Sequence, residues 1–190
     1  MPVQIGAKTH NFADPASLLS DCHRRVEMFL GSLEAVAELV SQPPDEETRQ
    51  TLAAALRYFA QAAPKHTADE EESLFPRLRK INHPEVQSAF ESLRRLEGDH
   101  RWAEALHAAV EKLGNEYLLT GKLTAAEVVE FRRAVASLAF MYQKHIETEE
   151  KLVFPLAQRL LSKTEIAAIA QEMANRRNVP LVVDVAGHVR

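Results

Sequence analysis

His66-Thr67-Ala68-Asp69-Glu70-Glu71-Glu72-Ser73-Leu74-Phe75-Pro76 returns later in the chain as His145-Ile146-Glu147-Thr148-Glu149-Glu150-Lys151-Leu152-Val153-Phe154-Pro155. Histidine, two adjacent glutamates, phenylalanine and proline coincide at an offset of 79 residues, the difference between 145 and 66. Each copy lies in a long segment whose apolar residues recur in steps of three and four, the period of an amphipathic helix. Such a repeat describes two helical hairpins related by a pseudo-twofold axis. The proline of each copy is expected to kink or end its helix just beyond the motif.

Outward from the repeat, chain breakers cluster at Gln42-Pro43-Pro44-Asp45, Asn82-His83-Pro84, Thr120-Gly121-Lys122 and Asn178-Val179-Pro180. The stretches between them predict helices over about 15–41, 46–81, 85–119 and 125–161, with a shorter one over 163–176. Thr124 with Glu127 reads as a capping box, and Lys163-Thr164-Glu165 as a fresh helix start. Alternation with period two is hinted at only in the tail, 179–189, so no sheet is expected. The fold expected is all-α: an antiparallel up-down four-helix bundle with a short extra C-terminal helix. Its division is an N-terminal segment over 1–14, the bundle over 15–162, and the short helix with its tail over 163–190.

Composition narrows the function. The 190 residues include one cysteine, so no internal disulfide can form and packing or a metal must hold the fold. A net charge of −4 argues against a nucleic-acid binder. No apolar run approaches the roughly 20 residues of a membrane span. Met1-Pro2-Val3-Gln4 lacks the basic start of a secretory signal, which points to a cytoplasmic protein.

Each helical seam is interrupted by a histidine. The first runs Leu19, His23, Val26, Leu30, Leu33; the second Leu52, Leu56, Phe59, Ala63, His66, Glu70. The third includes Leu93, Leu96, His100, Ala103, Val110; the fourth Leu138, Tyr142, His145, Glu149, Leu152. Depth can be counted from the loops at about 1.5 Å per residue. His23 and His66 then lie roughly 27 and 31 Å from the first loop, and His66 and His100 roughly 22 and 24 Å from the second. His100 and His145 lie near 28 and 31 Å from the third, so all four share one cross-section. A lone histidine in a seam is ordinarily a hydrogen-bonded core residue, but four at one level require a common reason.

The His-x-x-x-Glu spacing adds that reason. It occurs at His23/Glu27, His66/Glu70, His100/Glu104, His107/Glu111 and His145/Glu149, five times where the 21 glutamates and eight histidines would give about one by chance. A four-residue step keeps imidazole and carboxylate on one face. Glu70 and Glu149 lie in their seams, while Glu27 and Glu104 lie one residue aside and read as outer or solvated carboxylates. The candidate metal ligands are therefore His23, His66, Glu70, His100, His145 and Glu149. Imidazoles with carboxylates suit first-row metals, iron above all, with manganese or zinc as alternatives. Two carboxylates can bridge a metal pair and leave each ion an open position.

On these features the chain resembles the hemerythrin-like (HHE cation-binding) family. The matching residues are His23, the two His-x-x-x-Glu-Glu…Phe-Pro segments and His100, over roughly 15–160. The resemblance implies a four-helix bundle around a non-haem pair of iron ions, Fe2+ or Fe3+, with an oxo or hydroxo bridge. His23, His66, His100 and His145 would be terminal ligands, with Glu70 and Glu149 bridging. Oxygen-carrying members place a further histidine where this chain has Glu104, and a last-helix carboxylate where it has Glu150. A five-residue step turns a side chain about 140° from the histidine, against about 40° for Glu149. Glu149 is preferred on that ground, and Glu150 stays open.

The absent histidine moves the expectation away from bulk oxygen transport, toward sensing or handling of O2, nitric oxide, peroxide or iron. A stress-response role fits that range. A di-iron oxidase or peroxidase, a nitric-oxide-reducing enzyme and an iron-sulfur-repair-type enzyme are the alternatives, and a metal-free helical interaction module is a third class. The partner expected is a small diatomic ligand or peroxide, with neither nucleic acid nor membrane. Leu181-Val182-Val183 can pack on the bundle or pair with a second subunit as a homodimer. His10, His83, His107 and His188 read as surface or helix-end residues, and Cys22 as a buried, inert thiol. Trp102 and Tyr142 read as packing residues, Tyr142 also as a hydrogen-bond donor to a metal-bound ligand. Of the acidic run 69–72, only Glu70 is expected to point inward.

Overall fold

A computed structural model of the protein describes residues 14–181. The N-terminal segment with His10, and the tail with Val182, Val183 and His188, lie outside the described residues.

Asp14 caps the first helix, α1 (Pro15–Leu39), by accepting from the Ser17 amide, with Pro15 at the first helical position. Asp45 does the same for α2 (Glu46–Gln61) through Thr48. The helical run continues through α3 (Ala63–Ala68), a π-helical turn π1 (Asp69–Leu74) and α4 (Phe75–Lys80). His83 caps α5 (Pro84–Thr120), which closes on Gly121 at φ 74°, a left-handed position where glycine carries no Cβ penalty. Thr124 and Glu127 form the reciprocal capping box that opens α6 (Ala125–Thr148). A second π-helical turn, π2 (Glu149–Val153), leads into α7 (Phe154–Leu160). Ser162, one residue before the start suggested by sequence, caps α8 (Lys163–Arg176) with Glu165.

The prolines act differently from expectation. Pro76 and Pro155 neither end nor break their helices; each sits at the second position of a new α-helical segment, directly after a π turn. The Phe75 amide bonds to the Glu70 carbonyl and the Phe154 amide to the Glu149 carbonyl, both spanning five residues. Proline lacks an N–H, and its ring collides with the carbonyl four residues back in an α-helix. A widened turn just before it relieves both problems, and π turns of this kind gather at functional sites.

Helix α5 packs on α6, α6 on α1, α1 on α2 and α2 on α5, closing a ring of helical runs. α8 lies against π1 and α1. Inside, the buried apolar side chains form two clusters rather than one. The first gathers Val26, Leu33, Leu52, Val110, Phe131, Leu138 and their neighbours. The second gathers Leu19, Phe75, Leu93, Leu96, Phe154, Ile169 and Met173. Along α1 the break falls between Leu19 and Val26, and along α5 between Leu96 and Ala103. Those gaps are where His23 and His100 sit. Among the described residues no helix is long and apolar enough to cross a membrane.

Candidate metal centre

The polar layer between the two apolar clusters holds all six side chains singled out in the sequence. α1 supplies His23, α3 His66, π1 Glu70, α5 His100, α6 His145 and π2 Glu149. Glu70 and Glu149 are each 0% exposed. Around them, His66 Nε2 lies 3.2 Å from Glu70 Oε1, and His23 Nε2 lies 3.1 Å from Glu149 Oε2. His100 Nε2 lies 3.4 Å from Glu70 Oε2, and His145 Nε2 lies 3.3 Å from Glu149 Oε2. The donors fall into two groups, His23, His66, Glu70, Glu149 and Glu70, His100, His145, Glu149, each with its donor atoms within 4.8 Å of one another. Both groups contain both carboxylates. Either group can hold a metal ion, and the shared glutamates place the two positions side by side.

The electrostatics point the same way. All four carboxylate oxygens of Glu70 and Glu149, together with His23 Nε2, are buried and make no hydrogen bond. Leaving one such oxygen unsatisfied costs about 1–3 kcal/mol or more, so four together call for a bound cation or for protons on the imidazoles that stand 3.1–3.4 Å away. His100 Nε2 and His145 Nε2 approach to 3.1 Å, two ring nitrogens converging on one point. Burial opposes charge on His23, yet the carboxylates of Glu149 and Glu70 outweigh it and raise its pKa to about 10. His100 is raised to about 9 against the same burial, by Glu70 first and then Glu71. His66 goes the other way: fully enclosed, it is pushed down by desolvation. For Glu70, burial pushes the carboxyl up, but the imidazoles around it, His66 first, hold it well below the usual carboxylate range. Without a cation, protons on imidazoles balance this site's charge.

A second ring of side chains holds the imidazoles. His23 Nδ1 is 2.9 Å from Glu150 Oε1, and His100 Nδ1 is 2.7 Å from Glu71 Oε1. The two carboxylates are related by the 79-residue offset of the sequence repeat, while the two histidines lie 77 residues apart. Each hairpin thus supplies the carboxylate that fixes the other hairpin's histidine, which sets tautomer and ring angle. Asp99 Oδ2 stands 3.5 Å from His145 Nδ1. Glu150, left open by the sequence, lies in this outer ring. The role of Glu71 was missed, although its pairing with Glu150 in the repeat was a usable signal. Asp99 left no such signal.

Some expectations require correction. Within the acidic run, Asp69 is also 0% exposed, and it is held by Arg176 at 2.9 Å and Arg177 at 2.5 Å from the end of α8. Sequence gave no hint, because the partners are more than a hundred residues away. His107 is half-buried rather than a free surface residue: its ring stacks on Phe59 with centroids 4.6 Å apart, and Nε2 lies 3.0 Å from the Tyr142 hydroxyl. Burial lowers its pKa to about 4. Trp102, expected as a packing residue, is 48% exposed. It lies two positions from His100, about 200° around the helix. Tyr142 is buried, its ring 6.2 Å from that of His145. Glu27 and Glu104 are exposed and His83 is a helix cap. Cys22 is a buried free thiol whose pKa is raised by desolvation.

Comparison with known proteins agrees with this geometry. A model of the family described as Hemerythrin HHE cation binding domain matches residues 14–157. An uncharacterized protein of Haemophilus influenzae (strain ATCC 51907 / DSM 11121 / KW20 / Rd) is 26% identical over 168 residues, spanning 87% of this chain and 91% of that protein.

Proposed function

The chain belongs to the Hemerythrin HHE cation-binding domain family, and from that premise we propose that it is a non-haem di-iron protein that senses or handles O2, nitric oxide, peroxide or iron. The single observation carrying this reading is the pair of donor groups that share both Glu70 and Glu149. His23 and His66 would hold one ion and His100 and His145 the other, with Glu70 and Glu149 available to both. Manganese or zinc would satisfy the same donors. Iron bound there supplies redox change and an electrophilic centre for small oxygen or nitrogen ligands. The chain's own residues do the rest. Glu150 and Glu71 fix the His23 and His100 rings, Phe154 stacks on His23 at 5.3 Å, and apolar clusters flank the layer on both sides.

The same reading takes residues 15–162 as an antiparallel up-down bundle, with 163–190 as an appended helix and tail, in a cytoplasmic protein. A second reading, an enzyme of the oxidase, peroxidase or nitric-oxide-reducing kind, is favoured by a cleft that reaches His100. A metal-free interaction module is disfavoured by the unsatisfied oxygens of Glu70 and Glu149.

The test is elemental analysis of protein purified without added metal. About two irons per chain are expected in the wild type, with loss in both His66→Ala and Glu149→Ala. Metal content unchanged in both variants would end the proposal.

A further inference from the structure

Next to His100, a cleft of about 410 Å³ lies among α2, α3, α5 and α6. Phe59, Ala63 and Ala103 form apolar walls. His100 and Tyr142 are part of its lining, and the Tyr142 hydroxyl is held by His107, also in the lining, at 3.0 Å. Glu104 and Glu111 stand around it, Glu71 is paired to His100 and Glu72 to Arg176, and among the described residues no lysine or arginine contributes to its lining. Pockets of roughly 300–1,000 Å³ with apolar walls and a few converging polar groups take small organic molecules. A diatomic ligand would fill only a small part of this one. The His23 edge of the centre is faced by Phe154, whereas the His100 edge forms part of the cleft.

We propose that this cleft binds a small organic amine, a cation with an apolar body, seated beside His100 with Tyr142 as its hydrogen-bond anchor. The apolar walls take the body of the molecule. The carboxylates create a negative field that draws in an ammonium group and repels carboxylates and phosphates. His107 fixes the direction of the Tyr142 hydroxyl, and its stacking on Phe59 fixes His107 in turn. The site rests on the di-metal reading for one part of its lining, since His100 is assigned there as a ligand.

Isothermal titration calorimetry with benzylamine and butylamine, and with benzoate as the anionic counterpart, tests this on the protein as purified. Benzylamine is expected to bind at least about tenfold more tightly than benzoate, a difference of about 1.4 kcal/mol. Ala108→Trp, at an exposed position on the cleft, should abolish amine binding while leaving metal content intact. Tyr142→Phe should weaken it about five- to tenfold, as loss of one hydrogen bond does. No heat from either amine, benzoate binding equal to benzylamine, or amine binding that survives Ala108→Trp overturns the assignment. Metal is measured on every sample. A fully loaded protein that ignores amines removes the cleft's role alone, whereas amine binding to a chain that takes up no metal removes the di-metal reading alone.

Discussion

Glu149 and Glu150 are chain neighbours with separate tasks. The first turns inward among the four imidazoles, and the second reaches across to His23 Nδ1. Glu150→Gln should therefore retain both metal ions but weaken their affinity about 10–100-fold, the usual effect of losing an outer partner of a ligand. Glu149→Gln should lose metal outright, and chelator competition separates the two outcomes. Protonation supplies another check. His23 and His100 have pKa values raised to about 10 and about 9, so both carry a proton in the metal-free chain near neutrality. In that form their favourable pairing is fully present below the ordinary 6.5 and is lost as pH rises through about 9 and about 10. Metal ligation needs neutral imidazole, so loading should release about two protons from them and strengthen as pH rises. Calorimetry in buffers of different ionisation enthalpy measures that release; uptake of protons would contradict it. At this scale the sequence was informative about which side chains meet, because His-x-x-x-Glu fixes a common face. It was less informative about their outer partners, because the contacts from Glu71 and Asp99 cross between helices and follow no periodicity.

Elements carry widened turns and anchorage that periodicity does not register. Helix boundaries were legible from caps and breakers: Thr124 with Glu127, and the glycine at 121, both act as read. The π turns were not, since Pro76 and Pro155 announce a disturbance without saying on which side it falls. It falls on the N-terminal side, so π1 begins at Asp69, one residue before Glu70, and π2 begins at Glu149 itself. α8 was legible as a helix but not as a support. Arg176 and Arg177 close on buried Asp69, while Arg77 pairs with Glu172 at 2.7 Å. Asp69→Ala leaves Arg177 without its carboxylate and Arg176 with only the exposed Glu72, and should cost about 3–5 kcal/mol of stability. Glu72→Ala removes only an exposed partner of Arg176 and should cost less than about 1 kcal/mol. Denaturant unfolding of the two variants gives the comparison, and equal losses would refute the anchor. Because Asp69 adjoins Glu70, its loss should also loosen the metal site.

At the scale of the molecule, the ring of helical runs brings four distant stretches of chain to one level, which counting residues from the loops had indicated. The two apolar clusters were not legible, because each seam looked continuous apart from one or two polar interruptions. Their separation has a thermodynamic consequence. Two hydrophobic bodies joined by a layer of charge and imidazole, with only helix backbones such as α1 and α5 running through both, are weakly coupled unless something further spans the layer. A bound cation pair ligated from all four runs would do so, making one cooperative unit out of two. Native-state hydrogen exchange should show a single global opening for loaded protein. After chelation, the amides beside Val110 and Leu138 should open with a free energy different from those beside Leu93 and Ile169. The metal would then determine how many pieces the protein falls into when it unfolds, as well as what it can bind.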